Sequence, residues 1–109
     1  MSAAINAFLK ELYDAQRESN LADAAVARCE DVRKLVLAEK VATSDAKTAT
    51  AAEHEARAGD EYRQALNNLH EARLAAAEAN AKADYMNKRW EKWRTLEASA
   101  REKRRAGSQ

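Results

Sequence analysis

The chain of 109 residues contains no proline, two glycines and a single cysteine, Cys29. Without proline nothing forces a helix to stop, and a lone cysteine excludes an intramolecular disulfide or a zinc site built on paired cysteines. Aromatic residues make up only 6% of the chain. The longest run of apolar residues that includes more than one large side chain, Leu35–Ala38, is far shorter than the roughly 20 residues of a transmembrane helix. These absences exclude disulfide-rich and transmembrane classes, and we expect a cytoplasmic protein built from long helices.

A repeat of small or apolar residues dominates the second half of the chain. Its positions are Tyr62, Ala65, Leu69, Ala72, Ala76, Ala79, Ala83, Met86, Trp90, Trp93, Glu97 and Ala100. A repeat of about 3.5 residues lies on one side of a helix and is buried against another helix. Large apolar residues are too few for a thick globular core. We therefore predict an all-α fold without a sheet, in which two long helices form an antiparallel coiled-coil hairpin.

The first half of the chain carries a similar seam after Ser2, a predicted N-cap. Its members are Ile5, Phe8, Leu12, Ala15, Ser19, Ala22, Val26 and Cys29. After Cys29 the apolar seam continues at Val32 and Val36, whereas an unchanged three-four spacing would place Arg33 on the seam. Two successive three-residue steps predict a local overwinding of the coiled coil near Val32.

Gly59 is the predicted point of chain reversal, because glycine favours the end of a helix and the following Asp60 suits a new N-cap. We predict one domain over residues 1–109: helix 1 over about 3–57, a turn near 58–60, helix 2 over about 61–105 and a frayed tail at 106–109. This turn would place residues 72–83 beside residues 35–41. Thr43–Asp45 is the alternative corner, and Thr50–Glu53 resembles a capping box.

The charge of the chain is divided between a mildly acidic body and a basic end. Residues 1–87 carry 11 basic and 15 acidic side chains, a net charge of −4, whereas residues 88–109 carry 8 basic and 3 acidic, a net of +5. Neither His54 nor His70 lies in a metal-binding or catalytic motif, and no glycine-rich phosphate loop is present. We expect no catalytic residue, no metal ligand, no cofactor and no enzymatic activity.

The segment from Lys88 to Arg105 is the candidate partner-binding region. Its proposed contact residues are Lys88, Arg89, Trp90, Lys92, Trp93, Arg94, Arg101, Lys103, Arg104 and Arg105. Three interpretations fit: the tryptophans pack on the seam, they stack on nucleic-acid bases, or they overhang the hairpin as an apolar anchor with a basic rim.

The segment over residues 83–97, Ala-Asp-Tyr-Met-Asn-Lys-Arg-Trp-Glu-Lys-Trp-Arg-Thr-Leu-Glu, resembles the charged, aromatic C-terminal helix of the FliJ/YscO family of type III secretion stalk proteins. The resemblance implies a helical hairpin whose paired termini enter the pore of a hexameric export ATPase. Residues 88–105 would then face the ATPase, and residues 43–60 would face the export gate or escort chaperones.

Two other functions remain alternatives: a nucleic-acid-associated protein that uses the basic tail, and a secreted or phage-encoded hairpin that binds a target. Nucleic acid is the less favoured partner because the net charge of the whole chain is only +1. The same seam serves a monomeric hairpin or a homodimer of long helices.

Overall fold

The structure, a computed structural model, describes residues 2–107 as three helices: α1 (Ala3–Ala42), α2 (Ala49–Ala58) and α3 (Asp60–Gly107). No strand occurs among these residues, and the two long helices α1 and α3 pack against each other along their length. The Cα atoms extend over 86 × 23 × 15 Å. The predicted all-α helical hairpin without a sheet is confirmed.

The N-terminus of α1 is capped as predicted. Ser2 has extended backbone angles, and its hydroxyl oxygen accepts a hydrogen bond of 3.2 Å from the amide of Ile5. This bond satisfies one of the amides that a helix start leaves without a partner inside the helix.

The chain reverses at residues 43–48, so the turn predicted near 58–60 is wrong and the alternative corner at Thr43–Asp45 is right. Short polar side chains hydrogen-bond to the local backbone here and so compete with the helix. The hydroxyl of Thr43 donates to the carbonyl of Glu39 at 2.9 Å, and that of Ser44 accepts from the amide of Ala46 at 3.1 Å. Thr48 then caps α2 by accepting from the amide of Ala51 at 3.1 Å. The predicted first helix over 3–57 is therefore two helices with a corner between them.

Gly59 marks a break within the returning arm, not a reversal. Its φ of −75° and ψ of 155° are extended values, and its amide donates to the carbonyl of Ala56 at 3.2 Å. Helices of 10 and 48 residues placed end to end would span about 87 Å. The longest extent of the molecule is 86 Å, so α2 and α3 run nearly end to end.

The helical part of α3 also extends further than predicted. Ala106 and Gly107, assigned to a frayed tail, belong to the helix, whereas Ser108 and Gln109 lie outside the described residues. Arg104 and Arg105 lie in the last turn, where positive charge interacts favourably with the helix dipole.

The predicted seam forms the interface between the arms as far as Trp90. Every predicted seam position of α3 from Tyr62 to Trp90 is buried or half-buried, and the same holds for α1 from Ile5 to Cys29. Leu69 is the only large side chain among the described residues that is fully buried. Alanines occupy most of the other buried α3 positions, which indicates that the two helices approach closely.

The expected overwinding near Val32 is not supported, because α1 keeps its earlier track. Val32 is 46% exposed, whereas Arg33 is half-buried in the seam. The Arg33 guanidinium donates to the hydroxyl of Tyr62 at 3.4 Å. A long side chain with an apolar stem can occupy a seam position when its head finds a polar partner.

Polar contacts fix the register of the two arms. Gln16 donates to Asn87 at 2.9 Å, and Ser19 hydrogen-bonds to Asn80. Arg73 forms an ion pair with Glu30 at 3.2 Å. Residues 72–83 therefore lie beside about residues 18–30 and not beside 35–41, because the corner lies earlier in the chain than Gly59.

Candidate docking surface

The open end of the hairpin, where residues 3–10 of α1 meet residues 85–97 of α3, carries an aromatic cluster. The rings of Phe8 and Trp90 are stacked with centroids 6.2 Å apart, and those of Trp90 and Trp93 with centroids 5.1 Å apart. Phe8 and Trp90 also pack on a buried core formed by Leu12, Ala15, Ala83 and Met86. One side of the cluster is thus packed against the buried core of the hairpin.

A cation lies within this cluster. The guanidinium of Arg89 is 5.2 Å from the centroid of the Phe8 ring and 5.9 Å from that of the Tyr85 ring. Both distances fit cation–π attraction, which holds the guanidinium against the rings. Arg89 therefore links an aromatic residue of α1 to one of α3 and presents a positive charge at the surface.

Two grooves without an acidic lining residue border the cluster, beside a third that contains Glu91. The first, of about 280 Å³, is lined by Ala4, Ile5, Phe8, Arg89, Trp90 and Trp93. The second, of about 580 Å³, is lined by Tyr85, Lys88, Arg89, Lys92, Trp93 and Leu96. Neither groove contains an acidic lining residue, and Arg89 and Trp93 belong to both.

The structure brings together one part of the predicted site and separates the rest. Six predicted residues lie on about two turns of α3, in or beside the aromatic cluster: Lys88, Arg89, Trp90, Lys92, Trp93 and Arg94. The other four, Arg101, Lys103, Arg104 and Arg105, lie on the overhang, defined here as residues 98–107. All side chains of the overhang are exposed, and Arg104 reaches back to Glu97 at 3.7 Å.

The interpretation in which the tryptophans overhang the hairpin, one of the three given above, needs correction. Ala4, Ile5 and Phe8 of α1 line the same groove as both tryptophans, so α1 reaches this level. Trp90 is half-buried on the seam, and only Trp93, at 38% exposure, is open to solvent. The seam interpretation is thus confirmed for Trp90, and the overhang begins beyond Glu97.

Sequence reasoning missed several members of this surface. Ile5 and Phe8 were assigned only to the seam, and Tyr85 was not among the predicted contact residues. Leu96, which is 60% exposed, was not singled out. An eleven-residue spacing, about three helical turns, joins Leu74, Tyr85 and Leu96 on one face of α3, and this spacing was the available signal.

The opposite end of the rod differs in charge and chemistry. Residues 43–61 carry five acidic and two basic side chains. The hydroxyl of Ser44 donates to Glu55 at 2.9 Å, and Lys40 pairs with Glu61 at 3.0 Å. The groove at this end is lined by residues such as Thr43, Glu55 and Asp60. The two ends therefore present surfaces of opposite charge.

The two histidines and the cysteine lie outside the aromatic cluster. His54 and His70 are exposed, and Cys29 is half-buried in the seam. Among residues 2–107, no group of three His, Cys, Asp or Glu side chains could hold a metal ion. Within the same range, no helix is long and apolar enough to cross a membrane.

In comparisons with known proteins, no family model, no curated protein and no solved structure matches this chain significantly.

Proposed function

We propose that this protein is a non-enzymatic coiled-coil interaction protein that docks onto another protein through the open end of its hairpin. The observation that carries the proposal is the combination, at one end of an elongated molecule, of exposed aromatic rings with cations contributed by α3. Trp, Tyr and Arg are the residues that most often dominate binding energy at protein interfaces. All three occur here within about three helical turns, at Tyr85, Arg89 and Trp93.

As its specific role, we propose a type III secretion export component, acting in the cytoplasm as a stalk or escort for an export ATPase and export gate. A stalk must be long and narrow, and the Cα atoms extend 86 Å in length but only 23 and 15 Å across. The paired termini lie at the basic end, which the FliJ/YscO resemblance assigns to the ATPase. The acidic corner lies at the far end, which the resemblance assigns to the gate.

The proposed mechanism separates attraction from docking. The exposed cations of the overhang steer the rod towards an acidic opening, since complementary charge mainly raises the association rate. The aromatic cluster then provides the apolar contact that slows dissociation. Because α1 and α3 are joined by a continuous seam, a force or rotation at the docked end is transmitted to the corner.

Binding to a purified hexameric export ATPase from the same host tests this role. The full chain is compared with the fourfold variant Arg101→Glu, Lys103→Glu, Arg104→Glu and Arg105→Glu, with binding measured by biolayer interferometry and helicity by circular dichroism. We expect the variant to remain helical and to lose ATPase binding. A matched control reverses four exposed cations elsewhere, Arg17, Arg28, Lys34 and Lys47, and should retain binding.

Equal binding by the fourfold variant would reject the ATPase-facing assignment. RNA retention that falls steeply with salt and is lost in the same variant, without ATPase binding, would instead indicate nucleic-acid association. Recovery of the intact protein from culture medium would favour the alternative of a secreted hairpin that binds a target.

A further inference from the structure

One face of α3 at the open end combines apolar and basic side chains in a regular pattern. Tyr85 is 62% exposed, Trp93 38% and Leu96 60%, although all three are large. Lys88 and Lys92, four residues apart, line the same groove. The face covers 12 residues, a rise of about 16 Å along the helix, and offers apolar contacts flanked by positive charge. We call it the Tyr85–Leu96 face.

The cations of this face are not neutralised within the described part of the chain. Among residues 2–107, no ion pair is formed by Lys88, Arg89 or Lys92. Three other cations, Lys40, Arg73 and Lys82, each pair with a carboxylate on the other long helix. Arg89 is engaged only with aromatic rings. The groove therefore presents three positive charges and no negative one, which favours an acidic occupant.

We propose that the Tyr85–Leu96 face binds an acidic amphipathic helix of a partner protein. The apolar stripe of the partner would contact Tyr85, Trp93 and Leu96, while carboxylates on its flanks would pair with Lys88 and Lys92. A helix presents residues at three- and four-residue spacings along one side, which matches the spacing of the lining residues here. The inference rests on the proposed docking function and names the chemistry of the bound segment.

A second copy of this chain is a poorer occupant of the same face. A twofold-symmetric contact would place Lys88, Arg89 and Lys92 of one copy against the same cations of the other. Like charges brought together at an interface weaken binding. Charge complementarity thus favours a partner of different composition.

Single-stranded nucleic acid is also a poorer occupant. Binding of that kind depends on aromatic rings with free faces on which bases stack. Trp90 is half-buried and already stacked with both Phe8 and Trp93, so Trp90 has no free face and Trp93 keeps only one. Tyr85 is likewise engaged with Arg89.

Intrinsic fluorescence offers a direct test, because Trp90 and Trp93 are the only tryptophans of the chain. The probe is a synthetic helix of about 20 residues, long enough to populate the helical state, with leucine along one stripe, glutamate on both flanks and no aromatic residue. Titration into the full chain should shift the tryptophan emission to shorter wavelength with saturation. A peptide with lysine in place of glutamate, and one with its leucines dispersed around the helix, serve as probe controls.

Two pairs of variants with matched controls locate the binding. The double variant Lys88→Glu/Lys92→Glu should raise the Kd by about tenfold or more, whereas Lys34→Glu/Lys47→Glu, with the same change in net charge, should not. Tyr85→Ser/Leu96→Ser should also raise the Kd about tenfold. Its control is Tyr13→Ser/Leu21→Ser, which makes the same changes at two positions of α1 that are 65% and 59% exposed, and it should leave the Kd unchanged. Because all of these side chains are exposed, helicity should remain unchanged.

An affinity that is equal for the lysine peptide, or insensitive to both open-end variants, would overturn the inference. So would an emission shift produced only by single-stranded RNA or by vesicles containing anionic lipid. Failure of the peptide together with binding of the export ATPase that depends on the open end would reject the acidic helix and leave the docking function intact. Peptide binding without ATPase binding would support the acidic helix as occupant and reject the export role.

Discussion

The corner half and the open half of the hairpin are held together in different ways. In the open half both arms bury side chains, with Leu12 and Ala15 from α1 packed on Ala83 and Met86 from α3. In the corner half the buried side chains belong to α2 and α3, such as Ala56, Tyr62 and Leu69, whereas α1 contributes none that is fully enclosed. Polar contacts accompany this half instead, made by Arg33 and Lys40 of α1 and by Ser44 of the corner.

This difference shows how a two-helix rod can end in two unlike surfaces. A seam rich in alanine buries little apolar area for each helical turn, so the ends need additional contacts. The open end supplies them with aromatic rings that stay partly exposed and can bind a partner. The corner supplies them with side-chain hydrogen bonds and caps that leave a polar surface.

Removing the Leu69 side chain should have the largest effect, and it tests the packing of the corner half. Leu69 is 1% exposed, and truncation of a buried leucine leaves a cavity, so Leu69→Ala should lower the free energy of unfolding by about 3 kcal/mol. Urea unfolding followed by circular dichroism measures the change. Leu74→Ala, at a position 69% exposed, is the control and should change stability by less than about 0.5 kcal/mol. Similar losses for the two variants would contradict the described seam.

Enlarging Ala15 tests the close approach of the arms in the open half. Ala15 is 1% exposed, and a larger side chain would have to push the helices apart. Ala15→Leu should therefore cost about 2 kcal/mol in the same unfolding experiment. Ala27→Leu places the same change at an exposed position of α1 and should be nearly neutral. A stabilised Ala15→Leu variant would mean that the arms are further apart than the structure indicates.

The seam was predictable from the sequence, whereas the stagger of the arms was not. Periodic apolar residues define which side of each helix is buried, whatever the position of the turn, so Leu12, Ala15 and Leu69 were all placed on the seam. The stagger depends on where the chain reverses. Gly59 was given too much weight, because its extended backbone angles are accessible to any residue and it does not reverse the chain.

The candidate surface was only partly predictable for the same reason. Trp90, Trp93 and their neighbouring cations were visible as a segment of α3. Ile5 and Phe8 join them only because the corner lies at residues 43–48, which brings the start of α1 level with the tryptophans. The useful signal was the high share of short polar residues over residues 43–50, five of eight, because their side chains compete with helical hydrogen bonds.

The cap at Thr48 should make a moderate contribution to the corner half. Its hydroxyl accepts from the amide of Ala51 at 3.1 Å, so Thr48→Ala should lower the free energy of unfolding by about 1 kcal/mol. Thr50→Ala is the matched control, because Thr50 lies inside α2 and not at its cap. An equal or larger loss for Thr50→Ala would place the start of α2 at the alternative capping box.

Replacement of Gly59 should have the smallest effect and separates a helix break from a turn. The backbone there has a φ of −75°, and an added Cβ would meet the carbonyl oxygen of Ala56 at 3.4 Å, an ordinary contact. Because alanine reduces the freedom of the unfolded chain, Gly59→Ala should leave stability unchanged or raise it by about 0.5 kcal/mol. A hairpin that reversed at this glycine through a left-handed conformation would instead lose about 1 kcal/mol or more. Thermal unfolding of the two proteins side by side distinguishes these outcomes. A loss of stability would indicate that the chain reverses at Gly59. In that case Phe8 would not lie beside the tryptophans.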